Sequence, residues 1–334
     1  MTISAIVLKL RRGSIKDLEA DWLGTLLMVV ATTALILTTT WGGTQYEWAS
    51  PTIISTASIA LVAAVAFVFV ELRASNPLIP LDLFTNRNMV LTTTAGTVLG
   101  FAMTSALAYL PTYLQMVHEL TPTEAGLMML PMVIGMLVTG MAVGFIISKT
   151  GRYKIYPLVG MAVTTVGLYL FSTLQTETTL TRLGIYMFVF GFGLGLVMQV
   201  LVLIVQNSFP LSAVGTATST NNFFRQIGSA IGASLSGSLF IHNMRSHLED
   251  RLPQALTELG PEEGPKWAAQ FNNGAANSLT PELVSQLPGP LREVVLSSYN
   301  DGLTPVFLLM VPLAVLALVI LLPVKEEPLK EDLS

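Results

Sequence analysis

The sequence predicts an all-α integral membrane protein, and two observations carry this prediction. Hydrophobic residues make up 52% of the 334-residue chain and charged residues only 11%, whereas a soluble domain carries roughly 25% charged residues. Eight apolar runs, each about as long as a membrane-spanning helix, follow one another along the chain. All are expected to be helices, because open sheets cannot span lipid and barrel strands would show short alternating segments. The predicted spans are 22–41, 51–71, 90–114, 125–147, 155–173, 183–206, 212–241 and 303–323.

The distribution of Lys and Arg predicts that both termini face the inside. With this orientation the inside segments hold eleven cations, whereas the short outside loops hold only Arg182. The long 242–302 loop adds four more cations, but long loops follow the rule weakly. The inside cations are Lys9, Arg11, Arg12, Lys16, Arg73, Arg87, Lys149, Arg152, Lys154, Lys325 and Lys330.

The spans divide the chain into five predicted parts. The lead-in begins with a short apolar piece, TISAIVLKL, which resembles the tail of a helix whose beginning is missing. Two spans come next, and a linker broken by prolines separates them from the remaining six. The parts are a cytoplasmic lead-in (1–21), a pair of spans (22–71), a cytoplasmic linker (72–88), six spans (89–323) and a cytoplasmic tail (324–334).

Two polar segments are expected outside the bilayer. The 242–302 loop is rich in proline, and short amphipathic helices are predicted at 244–258 and 280–297, with a flexible centre at the sequence NNGAAN. The tail, KEEPLKEDLS, is charged and is expected to be disordered.

Several classes of function are excluded by composition. The chain has no cysteine, so it has no disulfide and no thiolate metal site. Its three histidines, His118, His242 and His247, are scattered and form no metal-ligand cluster. No basic patch suggests nucleic acid, and no nucleophile–base pair or phosphate loop lies at the end of a span. We therefore predict a protein that is not an enzyme and that takes no metal or other cofactor.

The seventh span carries an arginine near its middle, Arg225. A helical projection places it on a stripe of polar and small residues, with Phe224 and Ile227 on the opposite face. An unpaired charge in hydrocarbon costs on the order of 3 kcal/mol or more, so this stripe must face protein or a wet cavity. The stripe comprises Gly215, Thr218, Ser219, Asn222, Arg225, Gln226, Ser229, Gly232, Ala233 and Ser236.

The partner of Arg225 is not evident in the sequence, since no Asp or Glu lies inside a predicted span. Two interpretations stay open: a structural strut that bonds backbone carbonyls, or a group that pairs with an acid outside this chain or organises water for proton movement. As candidate cavity residues we take Tyr109, Gln199, Asn222, Arg225 and Gln226. As candidate helix-packing positions we take Gly191, Gly193, Gly195, Gly228 and Gly232.

The predicted cytoplasmic turn GFIISKTGRYK contains Gly144, Lys149, Gly151 and Arg152. Its cations fit positive-inside topology alone. Its spacing also resembles the loop that the major facilitator superfamily repeats between the second and third helices of each half, roughly G-x-x-x-D-x-x-G-R-[RK]. Ser148 stands where the acid of that pattern would lie. We take these four residues as a candidate inner-gate loop.

An ordered series of motifs resembles one branch of that superfamily, the fourteen-span drug:proton antiporters of the QacA/EmrB type. The stretch GTATSTNNFFRQIG, which begins at Gly215 and is followed by Gly232, is similar to a signature of the branch. The segments ADWLG, NPLIPLDLFTNRN, LPTYLQ and TPTEAGLMMLP agree with it in order. The resemblance covers essentially the whole chain.

The resemblance implies a major facilitator fold, represented here by the C-terminal six-helix half and two accessory helices, with the N-terminal half missing. It implies a protein of the cell (plasma) membrane that exports hydrophobic or cationic small molecules by alternating access, driven by a proton gradient. The expected partners are the lipid bilayer, the substrate, protons and the missing half. Two alternatives remain: a non-transporting fragment or one half of a split transporter, and an exporter of lipid or siderophore.

Overall fold

A computed structural model describes residues 21–43, 45–272 and 280–329, and this part of the chain is almost entirely helical. Most of the predicted lead-in, most of the NNGAAN segment and residues 330–334 lie outside it. A 3₁₀ helix, Leu81–Thr85, precedes the third α-helix. The α-helices are α1 (Trp22–Trp41), α2 (Pro51–Glu71), α3 (Arg87–Val117), α4 (Pro122–Met128), α5 (Leu130–Thr150), α6 (Ile155–Ser172), α7 (Leu180–Ser208), α8 (Leu211–Glu258), α9 (Gly260–Asn272), α10 (Pro281–Ser285) and α11 (Gly289–Leu321).

Seven helical segments of the described chain are long and apolar enough to cross a membrane. They are α1, α2, α3, the pair α4–α5, α6, α7 and α11. The remaining predicted span, 212–241, is the seventh in chain order and lies in α8, which is not among the seven helical segments. The polar stripe around Arg225 and the charged residues beyond 241 reduce the apolar character of α8. The total of eight spans and the inside position of both termini stay predictions.

Local sequence signals fix several helix ends. Asp21 accepts a hydrogen bond from the Gly24 amide at the start of α1 (2.7 Å). Thr121 and Glu124 form a reciprocal capping box at the start of α4. The predicted span 125–147 is divided at Met129, because Pro131 stands in the first turn of α5 and favours a new helix start there.

The structure differs from the prediction for residues 242–302 at both predicted amphipathic helices. Residues 244–258 do not form a separate amphipathic helix, because α8 runs without interruption from Leu211 to Glu258. More than half of the residues in this region are strong helix formers, and its Leu248 and Ala255 are buried, so the helix continues even through Pro253. A helix of 48 residues is about 72 Å long, so its last part, residues 242–258, must project from the membrane. We call this part the outer extension.

The second predicted amphipathic helix, 280–297, also differs. The structure divides this region between α10 and the first turns of α11. Helix α11 then continues into the last predicted span. An ion pair joins Arg251 of the outer extension to Asp301 of α11 (2.6 Å), and a second joins Arg292 to Glu119. These contacts attach the projecting ends of α8 and α11 to each other and to the end of α3.

Six helices, α3, α5, α6, α7, α8 and α11, pack into one bundle. Helix α7 lies between α5 and α6, while α3, α8 and α11 contact one another on the other side. The core contains the fully buried rings of Phe171, Phe190 and Phe307, with centroids 5.3–5.4 Å apart around Phe171. Aromatic clusters of this kind add about 0.5–1.5 kcal/mol per pair beyond area burial.

Helices α1 and α2 form an antiparallel hairpin beside the bundle. The Thr38 and Thr56 hydroxyls are hydrogen-bonded across the hairpin (2.9 Å). Of the described helices, α1 meets α8, where the Thr40 and Ser234 hydroxyls lie 3.3 Å apart, whereas α2 packs extensively only against α1. Much of α2 is therefore exposed and apolar, as for Leu61, which suits a lipid-facing surface.

The expectation of a disordered tail is wrong for residues 324–329. Val324 is buried, and the backbone that follows it is hydrogen-bonded to the bundle at Asn88, Tyr153 and Asn207. The prediction of disorder rested on the high charge of this segment alone. It failed because the hydrogen-bond partners of the segment lie in three distant parts of the sequence. We call residues 324–329 the tail strap.

Candidate functional site

The polar stripe of α8 is largely an interface with α3. Gly232 lies directly against the Phe101 backbone, and Gly228 lies against the Thr97 carbonyl. The Ser105 and Ser236 hydroxyls are hydrogen-bonded across the same interface (2.6 Å). Small residues permit such close backbone approach in membrane helices. Part of the stripe is therefore used to hold α3 and α8 together.

Asn221 extends this interface by about two turns beyond Gly228, although the stripe did not include it. Its side-chain amide donates to the Thr93 hydroxyl of α3 (3.2 Å), and both side chains are buried. The residue is adjacent to Asn222 in the sequence, and the signature motif contains both. Helical projection could have identified Asn221 as a contact only if the position of α3 had been known.

Arg225 is half-buried, and its Nη2 donates to the Asn222 Oδ1 (2.8 Å). Its backbone lies against Gly100 of α3. In the described part of the chain, no ion pair joins Arg225 to an acid. A side-chain amide solvates only part of a guanidinium, which has five N–H donors. The structure thus shows a cation at the predicted mid-depth with one neutral side-chain partner and unused donors.

The two glutamine candidates for the cavity lie elsewhere. Gln226 is exposed and lines a recess of about 120 Å³ between α8 and α1, together with Ile36 and Thr39. Gln199 is exposed on α7, on the side facing Gly140 of α5. The structure therefore brings Asn222 and Arg225 together but does not bring either glutamine to them.

Tyr109 is half-buried, and its hydroxyl donates to the Ala233 carbonyl (3.0 Å). Its ring packs against Phe240, with centroids 5.6 Å apart. Both partners lie on α8, about two and about four turns beyond Arg225 toward the outer extension. In this conformation Tyr109 extends the α3–α8 contact instead of presenting a free ring.

The three glycines of α7 lie at close helix–helix contacts. Gly191 contacts the Met132 carbonyl and Gly195 the Met136 carbonyl, both on α5. Gly193 faces the other way, against Thr164 of α6. Alternate glycines thus serve opposite neighbours, which explains how α7 can lie between two helices at short range.

The candidate inner-gate loop connects α5 and α6. Gly151 has a φ of 69°, in the left-handed region, and ends α5 as its C-cap. Lys149 is exposed, with its Nζ 4.1 Å from the Phe145 ring centroid. Arg152 is exposed, and a side chain at Gly144 would meet no neighbouring atom within 4 Å. In this structure the loop residues named by the motif are therefore accessible.

One apolar cavity beside α8 was not predicted from the sequence. It has a volume of about 490 Å³ and lies between the α1–α2 hairpin, the segment around the 3₁₀ helix, and α8. Its wall on α8 is formed by Phe223, Phe224 and Ile227, on the side of the helix that the projection placed opposite the polar stripe. Helical periodicity indicated an apolar face here but not what it meets.

A polar cluster at the outer end of α3 was also missed. The Tyr113 hydroxyl donates to the Asn300 Oδ1 (2.9 Å), and the Asn300 amide donates to the Leu174 carbonyl (3.1 Å). His118, just beyond α3, is half-buried with its ring against Tyr113. Burial lowers the pKa of this imidazole. Asn300 lies in the polar stretch SSYND just before the last predicted span, so no local sequence pattern indicated the cluster.

The fold and these helix contacts define a polytopic membrane protein built as a six-helix bundle with an attached hairpin. Comparison with a known family gives the class. The model of the Major Facilitator Superfamily matches residues 21–233, and the chain belongs to that superfamily. Membership places it among membrane transporters and not among enzymes.

The curated relatives are named as transporters. An uncharacterized MFS-type transporter of Mycobacterium tuberculosis is 39% identical over 93% of this chain and 43% of its own length. The multidrug transporter protein MdtP of Bacillus subtilis is 30% identical over 86% of this chain and 55% of its own. The efflux pump dotC of Dothistroma septosporum is 30% identical over 92% of this chain and 51% of its own. The chain thus spans about half the length of the curated relatives it matches.

A solved structure supports the fold. A bacterial homolog of the human lysosomal transporter Spinster, crystallised in an inward-facing and occupied conformation, matches with a TM-score of 0.53. The match covers 89% of this chain and 64% of that chain at 14% identity. This likeness concerns the arrangement of helices alone.

Proposed function

We propose that the chain acts in proton-coupled efflux of hydrophobic or cationic small molecules by alternating access, in the plasma membrane. In this proposal it represents the C-terminal part of a fourteen-span drug:proton antiporter. Helices α1 and α2 are the accessory pair, and the α3–α11 bundle is the second half. The relatives' lengths, about twice the matched region, and the names MdtP and dotC support this assignment.

The observation that carries the proposal is the Arg225–Asn222 pair. A guanidinium at the predicted membrane depth is costly unless a polar partner or water satisfies it. Since α3 packs against the neighbouring small residues and leaves the Arg225 donors largely unused, we assign this group to a cavity wall. Another transporter half would supply the facing wall.

Proton coupling in this proposal depends on an acid outside the described helices. Within the described part of the chain, the acidic residues lie at helix ends, in connecting segments, in the projecting segments or in the tail strap. Glu71, for example, is at the end of α2. A proton-carrying transporter uses an ionisable group in its translocation pathway. We therefore assign the proton-binding acid to the facing half, where it would balance Arg225.

The test is efflux of a fluorescent cation from cells that express this chain alone, and then together with a candidate N-terminal half. We expect efflux only from the combination, with a dependence on the proton gradient. Efflux by the chain alone would contradict the requirement for a second half. No efflux in either case would favour a non-transporting fragment.

The role of Arg225 is tested in the active combination. Arg225→Ala should abolish proton-driven efflux, while Arg225→Lys, which keeps the charge but not the planar donors, should retain part of it. Leu235→Ala, at an exposed apolar position of the same helix, is the matched control. If Arg225→Ala transports and exchanges protons as well as the control, the assigned role is wrong.

A further inference from the structure

The tail strap crosses the end of the bundle that is predicted to face the cytoplasm. Its first attachment is to Asn88, in the first turn of α3, which is 2% exposed. The Asn88 Nδ2 donates to the Lys325 carbonyl and its Oδ1 accepts from the Lys325 amide, both at 3.0 Å. This two-way pairing uses both ends of the side-chain amide on one backbone residue. It fixes the strap to α3.

The second attachment is to the end of α7. Asn207 is 6% exposed, and its Nδ2 donates to the carbonyls of Glu327 (3.2 Å) and Pro328 (3.1 Å). The Glu327 amide in turn donates to the hydroxyl of the fully buried Tyr153 (2.7 Å). A buried amide that lost these partners would carry a desolvation cost, so the strap is integral to this surface.

The third attachment is to the loop between α5 and α6. The Glu326 Oε1 accepts from the backbone amides of Tyr153 (2.6 Å) and Lys154 (3.1 Å). These amides stand at the beginning of α6, whose N-cap residue, Lys154, makes no side-chain capping bond. Unpaired amides and the helix dipole favour an anion at this place. Glu326 thus caps α6 from the other end of the sequence.

The sequence of the loop shows why an external carboxylate is needed. From Gly144 to Lys154 the loop contains three cations and no acid. The hydroxyl of Ser148 bonds to the Phe145 carbonyl within its own helix. The carboxylate that holds the start of α6 therefore comes from the strap.

We propose that the tail strap is a latch that fixes the inner-gate loop to α3, α7 and α11, with Glu326 as its positioning residue. The consequence for transport rests on the proposed function. Alternating access moves one half against the other as a nearly rigid body. By joining four helix ends, the latch makes the inner ends of this half move together. Release of Glu326 should therefore impair reorientation and leave substrate binding intact.

The latch itself is tested without transport, by amide hydrogen exchange on the full chain in lipid nanodiscs. Glu326→Ala should accelerate exchange at the Tyr153 and Lys154 amides about tenfold, because two charge-assisted bonds are lost. Glu326→Gln, which keeps a neutral oxygen acceptor, should give an intermediate increase. Exchange in the middle of α7 should not change, which would show that the fold is intact.

Glu327→Ala is the matched control, because the described contacts of Glu327 use its backbone amide and carbonyl. It removes the same charge one residue away and should leave Tyr153 and Lys154 protected. Equal exchange in Glu326→Ala and the unaltered protein would overturn the latch, as would equal acceleration in the two alanine variants. If Glu326→Ala accelerates amide exchange throughout the protein, the latch is judged from Glu326→Gln instead. That variant must then show an increase confined to the Tyr153 and Lys154 amides.

The second measurement is the kinetics of cation efflux in the combination of two halves. Glu326→Ala should lower kcat roughly threefold to tenfold, as is common when a conformational step is disturbed, and leave KM within about twofold. An unchanged kcat, or a loss confined to KM, would contradict the transport role. If the unaltered combination carries no cation, the proposed function fails, whereas the exchange experiment still decides whether the latch exists.

Discussion

The contact between α3 and α8 predicts the effect of a single methyl group. Gly232→Ala adds a Cβ that would lie 2.5 Å from the Phe101 carbonyl oxygen and 2.6 Å from the Phe101 Cα. Ordinary contacts of this kind are about 3.4 Å or longer. The two backbones must therefore separate by almost 1 Å. That separation strains the Ser105–Ser236 hydrogen bond, which is 2.6 Å long and lies one turn away.

The magnitude follows from comparison with a second glycine of the same helix. A Cβ at Gly215 would meet no atom within 4 Å, so Gly215→Ala changes helix propensity alone. The propensity gain, about 0.5–1 kcal/mol, is common to both variants and cancels in their difference. The remaining difference in the free energy of unfolding between the two variants is the cost of overpacking at Gly232, about 1–3 kcal/mol. A central value of about 2 kcal/mol corresponds to a difference in Tm of roughly 3 °C for a chain of this size.

The assay is the apparent Tm of the purified variants in one detergent and at one scan rate, since membrane-protein unfolding is commonly irreversible. Gly232→Ala should melt well below Gly215→Ala. If the two variants melt within about 1 °C of each other, the close packing of α3 on α8 is refuted. Adding Ser105→Ala to Gly232→Ala should cost less than the sum of the single effects, because the strained bond is already weakened.

Two further predictions concern the outer end. The lowered pKa of His118 means that the folded protein binds this proton less readily than the unfolded chain, whose histidine pKa is about 6.5. The stability contributed by the neutral His118 should therefore be fully present above that pH and fall as the pH is lowered through it. The difference in Tm between pH 7.5 and pH 5.5 should be smaller in His118→Asn than in the unaltered protein. An equal difference would show that His118 does not cause the pH dependence. The Arg251–Asp301 pair has partners 37% and 39% exposed, and such pairs contribute about 0–1 kcal/mol. Arg251→Ala should thus lower Tm by less than about 1.5 °C. It should nevertheless accelerate amide exchange in the outer extension relative to the exposed control Glu249→Ala. Equal exchange in the two variants would mean that the ion pair does not hold the extension.

Apolar length predicted most of the transmembrane architecture, because a helix in lipid must satisfy its backbone internally. The structured helices Trp22–Trp41 and Pro51–Glu71 coincide with predicted spans. Helix α8 shows the limit of this signal. Hydropathy indicates where a helix is apolar, but helix propensity and burial decide where it ends. The continuation to Glu258 is supported by Leu248, Ala255 and the ion pair at Arg251, which the apolar pattern does not contain.

The site was predictable only along one helix at a time. A projection of α8 groups Asn222, Arg225 and Gln226, and the first two do form a hydrogen bond. Gln226, however, lies on the side of α8 that faces α1. Adjacent side chains on a helix point about 100° apart, so Arg225 and Gln226 can face different neighbouring helices. The contacts of the tail strap could not be predicted in this way, because Glu326 is 173 and 172 residues from the two backbone amides that it binds. Long-range pairing of this kind leaves no periodic trace in a single sequence.

The polar residues of α8 can be separated by what they already contact. Gly232 and Ser236 are committed to α3, and the opposite face, with Phe224, lines the cavity under the hairpin. Arg225 and Asn222 are hydrogen-bonded to each other, and the guanidinium keeps unused donors. Changes at the committed positions should therefore lower stability and leave the kinetics of the surviving protein intact. Changes at Arg225 should spare stability and alter transport, because removal of an incompletely solvated charge relieves a cost while it deletes a function. A destabilised Arg225→Ala, or a stable Gly232→Ala with altered transport, would reverse this division and with it the assignment of the cavity wall.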